Sequence, residues 1–403
     1  MVFWISLVLL ALLVLTGALA PAQLELLTRD ALNFTISRAG WLYLLVVFFL
    51  VAFLIYLACS RFSRLRIGGE DATPEFSMPT WFAMLFSAGM GIGLVFWGAA
   101  EPISHLALPP EGLAPLSNAA ARASLRYSFF HWGLHPWAIY AVLGLAMAWF
   151  RFNRRARGLI SELLRPIFGS LVDGALGHTV DVLAVLATAV GVATSLGFGA
   201  LQIGAGLNHV FGLPQTTATL LGIIAAAMVL YLLSSSTGLH RGIKWLSNLN
   251  MVLACAILLA FLLFGPTGFL FEDFTNTLGA YLNQLPGMSL RMTPFSETTW
   301  VADWTIFYWA WWISWAPFVG SFIAAVSRGR TVREFVVGVL AVPALLSFVW
   351  FSVLGGTALH LQIFGGIDLV GALKQGPEQV LFHVLDALPA AGTLASLATV
   401  LLL

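Results

Sequence analysis

Runs of about twenty apolar residues recur along the chain, at about residues 3–20, 40–59, 79–100, 124–149, 179–211, 216–234, 246–264, 304–325, 335–356 and 390–403. A helix needs roughly 20 mostly apolar residues to cross a hydrocarbon core about 30 Å thick. In lipid, every backbone polar group must also be satisfied within its own segment or by a closed barrel. The pattern therefore predicts an all-α integral membrane protein with nine full spans and a tenth that stops short, and its first partner is the lipid bilayer. Composition agrees: 60% of the 403 residues are hydrophobic, 9% are charged, and the mean hydropathy is +0.92. With a net charge of +1 and basic residues in short clusters, the chain offers no cationic face for nucleic acid.

The clusters alternate along the chain: Arg61, Arg64 and Arg66; Arg151, Arg154, Arg155, Arg157 and Arg165; Arg241 and Lys244; Arg328, Arg330 and Arg333. The positive-inside rule makes these connections cytoplasmic, together with the N-terminus; the expected location of the multi-pass chain is a bacterial inner membrane. The segment Arg151–Arg157 reads as a topology anchor that touches anionic lipid. Residues 3–20, with Ala18-Leu19-Ala20 resembling a cleavage site, lack a basic n-region and read as a first span. The longer connections, 265–303 and 357–389, fall outside, and each has the composition of short interfacial helices. Cys59 and Cys255 lie in apolar runs and behave as small hydrophobes, so neither a disulfide nor a metal site is expected.

Four spans carry chemistry. The third contains Gly89, Gly91, Gly93 and Gly98, each costing roughly 1 kcal/mol of helix relative to alanine. Two readings stand side by side: an unwound stretch whose carbonyls hold an ion, and close helix packing through small residues. The eighth span is the densest aromatic segment, with Trp304, Phe307, Tyr308, Trp309, Trp311, Trp312, Trp315, Phe318 and Phe322 interrupted by Pro317 and Gly320. At 100° per residue, Trp311, Trp315, Phe318 and Phe322 share a face with Trp312 on its flank, whereas Trp304 and Trp309 fit an interfacial belt.

In the fourth span, Trp132, Trp137 and Tyr140 spread over about 140° of one side. Facing the eighth span they form an aromatic cage, suited to a methylated ammonium that cannot donate hydrogen bonds. The only nearby acids, Glu101 and Asp181, fall at span ends. His131 and His135, four residues apart, have the spacing of a zinc pair but point away from the tryptophan side and lack a third ligand. In the fifth span, Thr188, Thr194 and Ser195 are candidate Na⁺ ligands, although such hydroxyls more often bond to their own helix.

These strings resemble the betaine/choline/carnitine transporter family. The resemblance rests on Gly89-Met90-Gly91-Ile92-Gly93 with Glu101-Pro102, on His131-Trp132-Gly133-Leu134-His135-Pro136-Trp137, on Asp303 through Trp315, and on Pro317 through Phe335. It implies a LeuT-type fold: two peripheral helices (1–60), a first five-helix repeat (79–264), an extracellular connection (265–303) and a second, inverted repeat that is partial here (304–403). It implies that Trp132, Trp137, Tyr140 and Trp312 line the central box and that Trp311 and Trp315 continue it toward the cytoplasm. Phe322 then belongs to a gate, Ser87 and Met90 supply carbonyls to one Na⁺ site, and Thr188 and Phe318 contribute to a second. The position one turn after Thr188 is Val192, where some sodium-coupled members have threonine. Family members continue beyond the point where this chain ends, at Leu401-Leu402-Leu403, which implies a fragment, and they are often homotrimers.

The expected function is import of a quaternary-ammonium solute such as glycine betaine or choline, driven by Na⁺ or H⁺ and with no organic cofactor. An ion-independent exchanger of the carnitine type is the alternative within transport, and a non-transporting sensor the alternative outside it. An intramembrane enzyme is disfavoured because neither histidine has an evident Ser or Cys nucleophile beside it.

Overall fold

The computed structural model describes residues 1–89, 91–236, 244–388, 396 and 399–400. Among these residues its regular structure is helical, apart from one isolated antiparallel bridge between Arg66 and Thr331. In chain order the helices are α1 (Val2–Leu19), α2 (Pro21–Cys59), α3 (Met78–Gly89), α4 (Ile92–Ala107), α5 (Asn118–Trp132), α6 (Leu134–Ala148) and α7 (Arg165–Phe168). They continue as α8 (Ala175–Phe211), α9 (Thr217–Ser236), α10 (Lys244–Phe264), α11 (Thr267–Ser289), α12 (Phe307–Val326), α13 (Val332–Ile363), α14 (Leu369–Gln375) and α15 (Pro377–Asp386).

By length and apolarity, six helical segments among the described residues can cross a membrane, and a seventh if the pair Leu249–Phe264 and Thr267–Ser289, bent by 109°, counts as one span. The chain is thus a multi-pass membrane protein, but its helices are not cut where hydropathy alone cuts them. Helix α2 starts at Pro21, not near residue 40, because Pro at the first helical position is preset for a helix and no Gly or Pro follows before Gly40. The third expected span is two helices: α3 ends at Gly89, and Gly91 adopts an extended conformation, φ −109° and ψ 172°. The fourth is interrupted at Gly133, just before Pro136, which has no N–H to donate to the Trp132 carbonyl. Most of the expected connection 265–303 is the 23-residue helix α11. Most of the expected tenth span lies outside the described residues.

The chain forms two compact units. The first comprises residues 1–85, 131–193 and 285–344. In it, α2 buries only Gly40, Leu44, Val47, Val51, Leu54 and Ala58, a stripe at three- and four-residue spacing that packs on α6. Helices α6 and α12 come close at two glycines, where a Cβ added to Gly144 would sit 3.2 Å from the Gly320 carbonyl oxygen. Helix association within lipid relies on such packing, because lipid tails are as apolar as the helices.

At one end of this unit, residues 65–67 run antiparallel to 330–332. Ile67 N–H donates to Arg330 O (2.9 Å) and Val332 N–H to Leu65 O (2.8 Å). The Arg330 guanidinium donates to Phe76 O at 2.6 Å and lies over the Trp81 ring, whose indole N–H reaches Ser327 Oγ at 3.1 Å. Gly329, at φ +81° and pressed against the Thr73–Pro74 backbone, leaves no room for a side chain.

The second unit comprises residues 86–130, 194–284 and 345–403. Here α4 packs on α14 and α15. Phe129 stacks on Phe348 at 4.3 Å. The buried Trp350 crosses α4 above Gly98, donating its indole N–H to Leu94 O at 2.7 Å. Because α4 continues to Ala107, Glu101 lies inside a helix, where it is fully buried and pairs with His105 at 3.2 Å.

Candidate functional site

Trp132 of α5, Trp137 and Tyr140 of α6, and Tyr308, Trp311 and Trp312 of α12, all in the first unit, meet in one buried cluster. A π-helical turn, Val301–Ile306, leads into α12 and sets the rotation of its aromatic ridge. Trp311 and Trp312 lie stacked, with ring centres 4.9 Å apart and planes 10° apart. Trp132 meets both in T-shaped contacts, at 4.9 Å from Trp312 and 6.1 Å from Trp311. Tyr140 closes on Trp312 at 6.2 Å, and Trp137 on Tyr140 at 5.5 Å. Edge-to-face contacts place the electropositive rim of one ring on the electron-rich face of another. A methylated ammonium presents the same kind of positive C–H surface, so the cluster has the chemistry to hold one by exchanging ring–ring for ring–cation contacts.

Polar groups hold the rings in place. The Trp312 indole N–H donates to the His131 carbonyl at 3.0 Å, beside the interruption at Gly133. His131 Nε2 bonds Thr305 Oγ1 at 3.0 Å, and its ring stacks on Tyr308 at 4.8 Å. His135 Nε2 bonds Ser289 Oγ at 2.8 Å, and its ring stacks on Trp309 at 5.3 Å. The two histidines therefore pack against α12 tryptophan and tyrosine rings and do not point away from them. Trp309 is fully buried, so the belt reading does not hold for it. Tyr308, not among the expected site residues, stands 5.8 Å from both Trp311 and Trp312 and 5.7 Å from Trp132. Its signal was available: residues 308, 311, 312 and 315 follow the i, i+3, i+4, i+7 spacing of a single helix ridge.

The remaining expected residues are not all in this cluster. The ring neighbour of Trp315 is Phe318, at 5.8 Å. Helix α8 passes Trp315 at Gly191, where an added Cβ would stand 3.0 Å from the indole nitrogen. Thr188 lies one turn earlier on α8 and is half-buried, whereas Phe318 is 54% exposed and Phe322 37%. Gly91 is extended, Gly89 ends α3, and Gly93 is buried in the first turn of α4. Met90 and the side chain of Ser87 lie outside the described residues.

A family profile described as BCCT, betaine/carnitine/choline family transporter, matches residues 1–403. The glycine betaine transporter OpuD of Bacillus subtilis is 48% identical over 403 residues, covering 100% of this chain and 78% of the relative. An ectoine/hydroxyectoine transporter of Virgibacillus pantothenticus is 44% identical over 389 residues, 96% of this chain and 77% of the relative. The high-affinity choline transport protein of Escherichia coli is 38% identical over 400 residues, 99% of this chain and 59% of the relative.

Proposed function

This chain belongs to the betaine/carnitine/choline transporter family, and we propose that it imports a quaternary-ammonium solute such as glycine betaine or choline, held in the box of Trp132, Trp137, Tyr140, Trp311 and Trp312. The observation that carries this reading is the stacked pair Trp311/Trp312 with Trp132 and Tyr140 set against it. A tetraalkylated nitrogen has no N–H to satisfy. Ring faces therefore replace its water with little loss, at up to about 2 kcal/mol per desolvated ring. Primary ammonium would leave its donors unpaired in the same box.

The transport cycle is driven by Na⁺ or H⁺. One charge moving down about 100 mV releases roughly 2.3 kcal/mol, which sustains an about fifty-fold gradient of a net-neutral zwitterion. The extended Gly91 and the flanking carbonyls at Ser87 and Met90 are one Na⁺ position in this scheme, and Thr188 with Phe318 is a second. Trp315 continues the path from the box, with Phe322 as its gate. Residues 79–264 and 304–403 act as LeuT-type inverted repeats that rock about the box, with residues 1–60 as peripheral helices, and the protein works as a homotrimer in the inner membrane with its N-terminus cytoplasmic. Val192, apolar and one turn after Thr188, favours the second reading, ion-independent exchange, because it withholds a hydroxyl from the second Na⁺ position.

Proteoliposomes containing the protein, assayed for labelled glycine betaine, choline and ectoine with and without a Na⁺ gradient, test this. Na⁺-dependent uptake that Trp312→Ala abolishes is expected. Uptake that needs only internal solute moves the protein to the exchanger reading, and uptake of neither glycine betaine nor choline removes the substrate class, with ectoine, which has no quaternary nitrogen, as the comparison.

A further inference from the structure

The connection between α6 and α8 is a braced loop with an apolar tip. It leaves one segment of membrane length at Asn153 and enters the next at Ala175, so it runs along a membrane surface. Its ends are tied at Ser161, which donates its N–H to Asp181 Oδ1 at 3.0 Å and its hydroxyl to Oδ2 at 2.8 Å. Asp181 is buried and belongs to α8. Closer to the tip, Arg165 donates to both oxygens of Glu162, at 2.7 and 2.9 Å, and to both oxygens of Asp173, at 2.7 and 3.0 Å. The return leg is pinned at the buried Val172, whose carbonyl leaves no room for a Cβ at Gly177. Between these ties stand Ile167, Phe168 and Leu171, which are 75%, 42% and 63% exposed. Single exposed apolar side chains need no explanation, but three together on a loop fixed by two carboxylate clusters mark an interaction surface.

Charge and place identify what covers it. Arg151, Arg154, Arg155 and Arg157 precede the loop and are all exposed, and residues 151–173 carry a net charge of +3. The acids of this stretch, Glu162 and Asp173, are both engaged by Arg165, so neither is left to repel phosphate. A lipid leaflet offers the complementary pair, anionic phosphates at the surface and acyl chains directly beneath them. We infer that residues 163–171 are an interfacial peg: Ile167, Phe168 and Leu171 enter the lipid leaflet that faces this connection, while Arg151, Arg154, Arg155 and Arg157 rest on its phosphates. Such a segment reaches about 5–10 Å into the boundary between headgroups and acyl chains. The Arg165 cluster keeps the peg stiff, because it joins both legs of the loop just short of the tip. The peg thereby holds the adjoining ends of α6 and α8 at one depth in the leaflet, whichever solute the protein carries.

The test is a depth measurement on the full chain in vesicles of phosphatidylethanolamine and phosphatidylglycerol. With the free Cys59 and Cys255 replaced by serine, a spin label is placed by Ile167→Cys and, separately, by Leu171→Cys, so that either variant decides the matter if the other does not reach the membrane. Collisions of the label with oxygen, which concentrates among acyl chains, are compared with collisions with a water-soluble nickel chelate. Both labels are expected to favour oxygen. A label that favours nickel is in water and overturns the peg. A label shielded from both reagents is covered by protein, and overturns it in favour of a second copy or another polypeptide. Arg165→Gln, which opens the loop, is expected to cost both labels their oxygen preference, and an unchanged preference removes the cluster's bracing role. Replacing phosphatidylglycerol by phosphatidylcholine is expected to make both labels shallower, and unchanged depth overturns the arginine contact.

Discussion

The crossing of α6 and α12 supports the box, and it can be tested at Gly144. A Cβ there would lie 3.2 Å from the Gly320 carbonyl oxygen and 3.4 Å from both Cβ and Cγ2 of Ile323. Two effects oppose each other in Gly144→Ala. Alanine favours the helix over glycine by about 1 kcal/mol, while forcing a methyl into a packed contact costs about 1–3 kcal/mol. The nearest atom belongs to the backbone of another helix and cannot rotate aside, so the helices must part by a few tenths of an ångström, and the contact cost is expected to win. Net destabilisation of about 1 kcal/mol lowers a thermal midpoint by about 2–4 °C.

The same logic holds in reverse for Gly320→Ala, whose Cβ would sit 3.2 Å from the Gly144 nitrogen. The double variant is expected to cost less than the two singles together, because the helices need to part only once. Gly222 in α9, with nothing within 4 Å of an added Cβ, is the control, and Gly222→Ala is expected to leave the midpoint unchanged or raise it. The assay is thermal unfolding in detergent followed by size exclusion, alongside KM for glycine betaine, which should rise in the first two variants because Tyr140 and Trp312 lie along the same two helices. A rise in midpoint for Gly144→Ala like that of Gly222→Ala would refute the close crossing.

Other expected outcomes follow from other contacts. In Gly98→Ala, the new methyl would come within 2.7 Å of the Trp350 indole nitrogen, pushing the ring off Leu94 O; thermal unfolding should show a loss of about 2–4 kcal/mol from overpacking plus an unmade buried hydrogen bond. In the connection between α6 and α8, Arg165 bonds both Glu162 and Asp173, and those hydrogen bonds hold both carboxyls below their usual range. Groups with depressed folded pKa values contribute stability above their unfolded values and lose it as pH falls through the folded ones. Proteolysis of residues 160–175 should therefore be flat between pH 8 and about 5 and accelerate below about pH 4, with Arg165→Gln erasing the step; an unchanged pH profile in Arg165→Gln argues against the cluster. The contribution is small, because Arg165 and Asp173 are exposed to solvent that screens the pairs, even though Glu162 is buried.

Sequence alone determined the solvent and the chemistry of this protein. Apolar runs of membrane length follow directly from the need to satisfy backbone groups in lipid, and an aromatic-rich span beside Trp132, Trp137 and Tyr140 already carries the ring chemistry that suits a weakly hydrated cation. Helix limits were less legible. Hydropathy cannot see that Pro21 opens a helix through the mixed segment 23–33, with Glu25, Arg29 and Asp30, or that Gly91 and Gly133 interrupt runs that are apolar on average. Only tertiary structure decided which rings meet. Helical-wheel geometry puts Trp311 and Trp315 on one face, yet the π turn and the Gly144/Gly320 crossing aim Trp311 and Trp312 together at Trp132, while Trp315 turns to Phe318 and to Gly191. His131 and Glu101 show the same limit: a residue's partners depend on the direction a neighbouring helix brings them from, and a linear pattern holds only its own helix's direction.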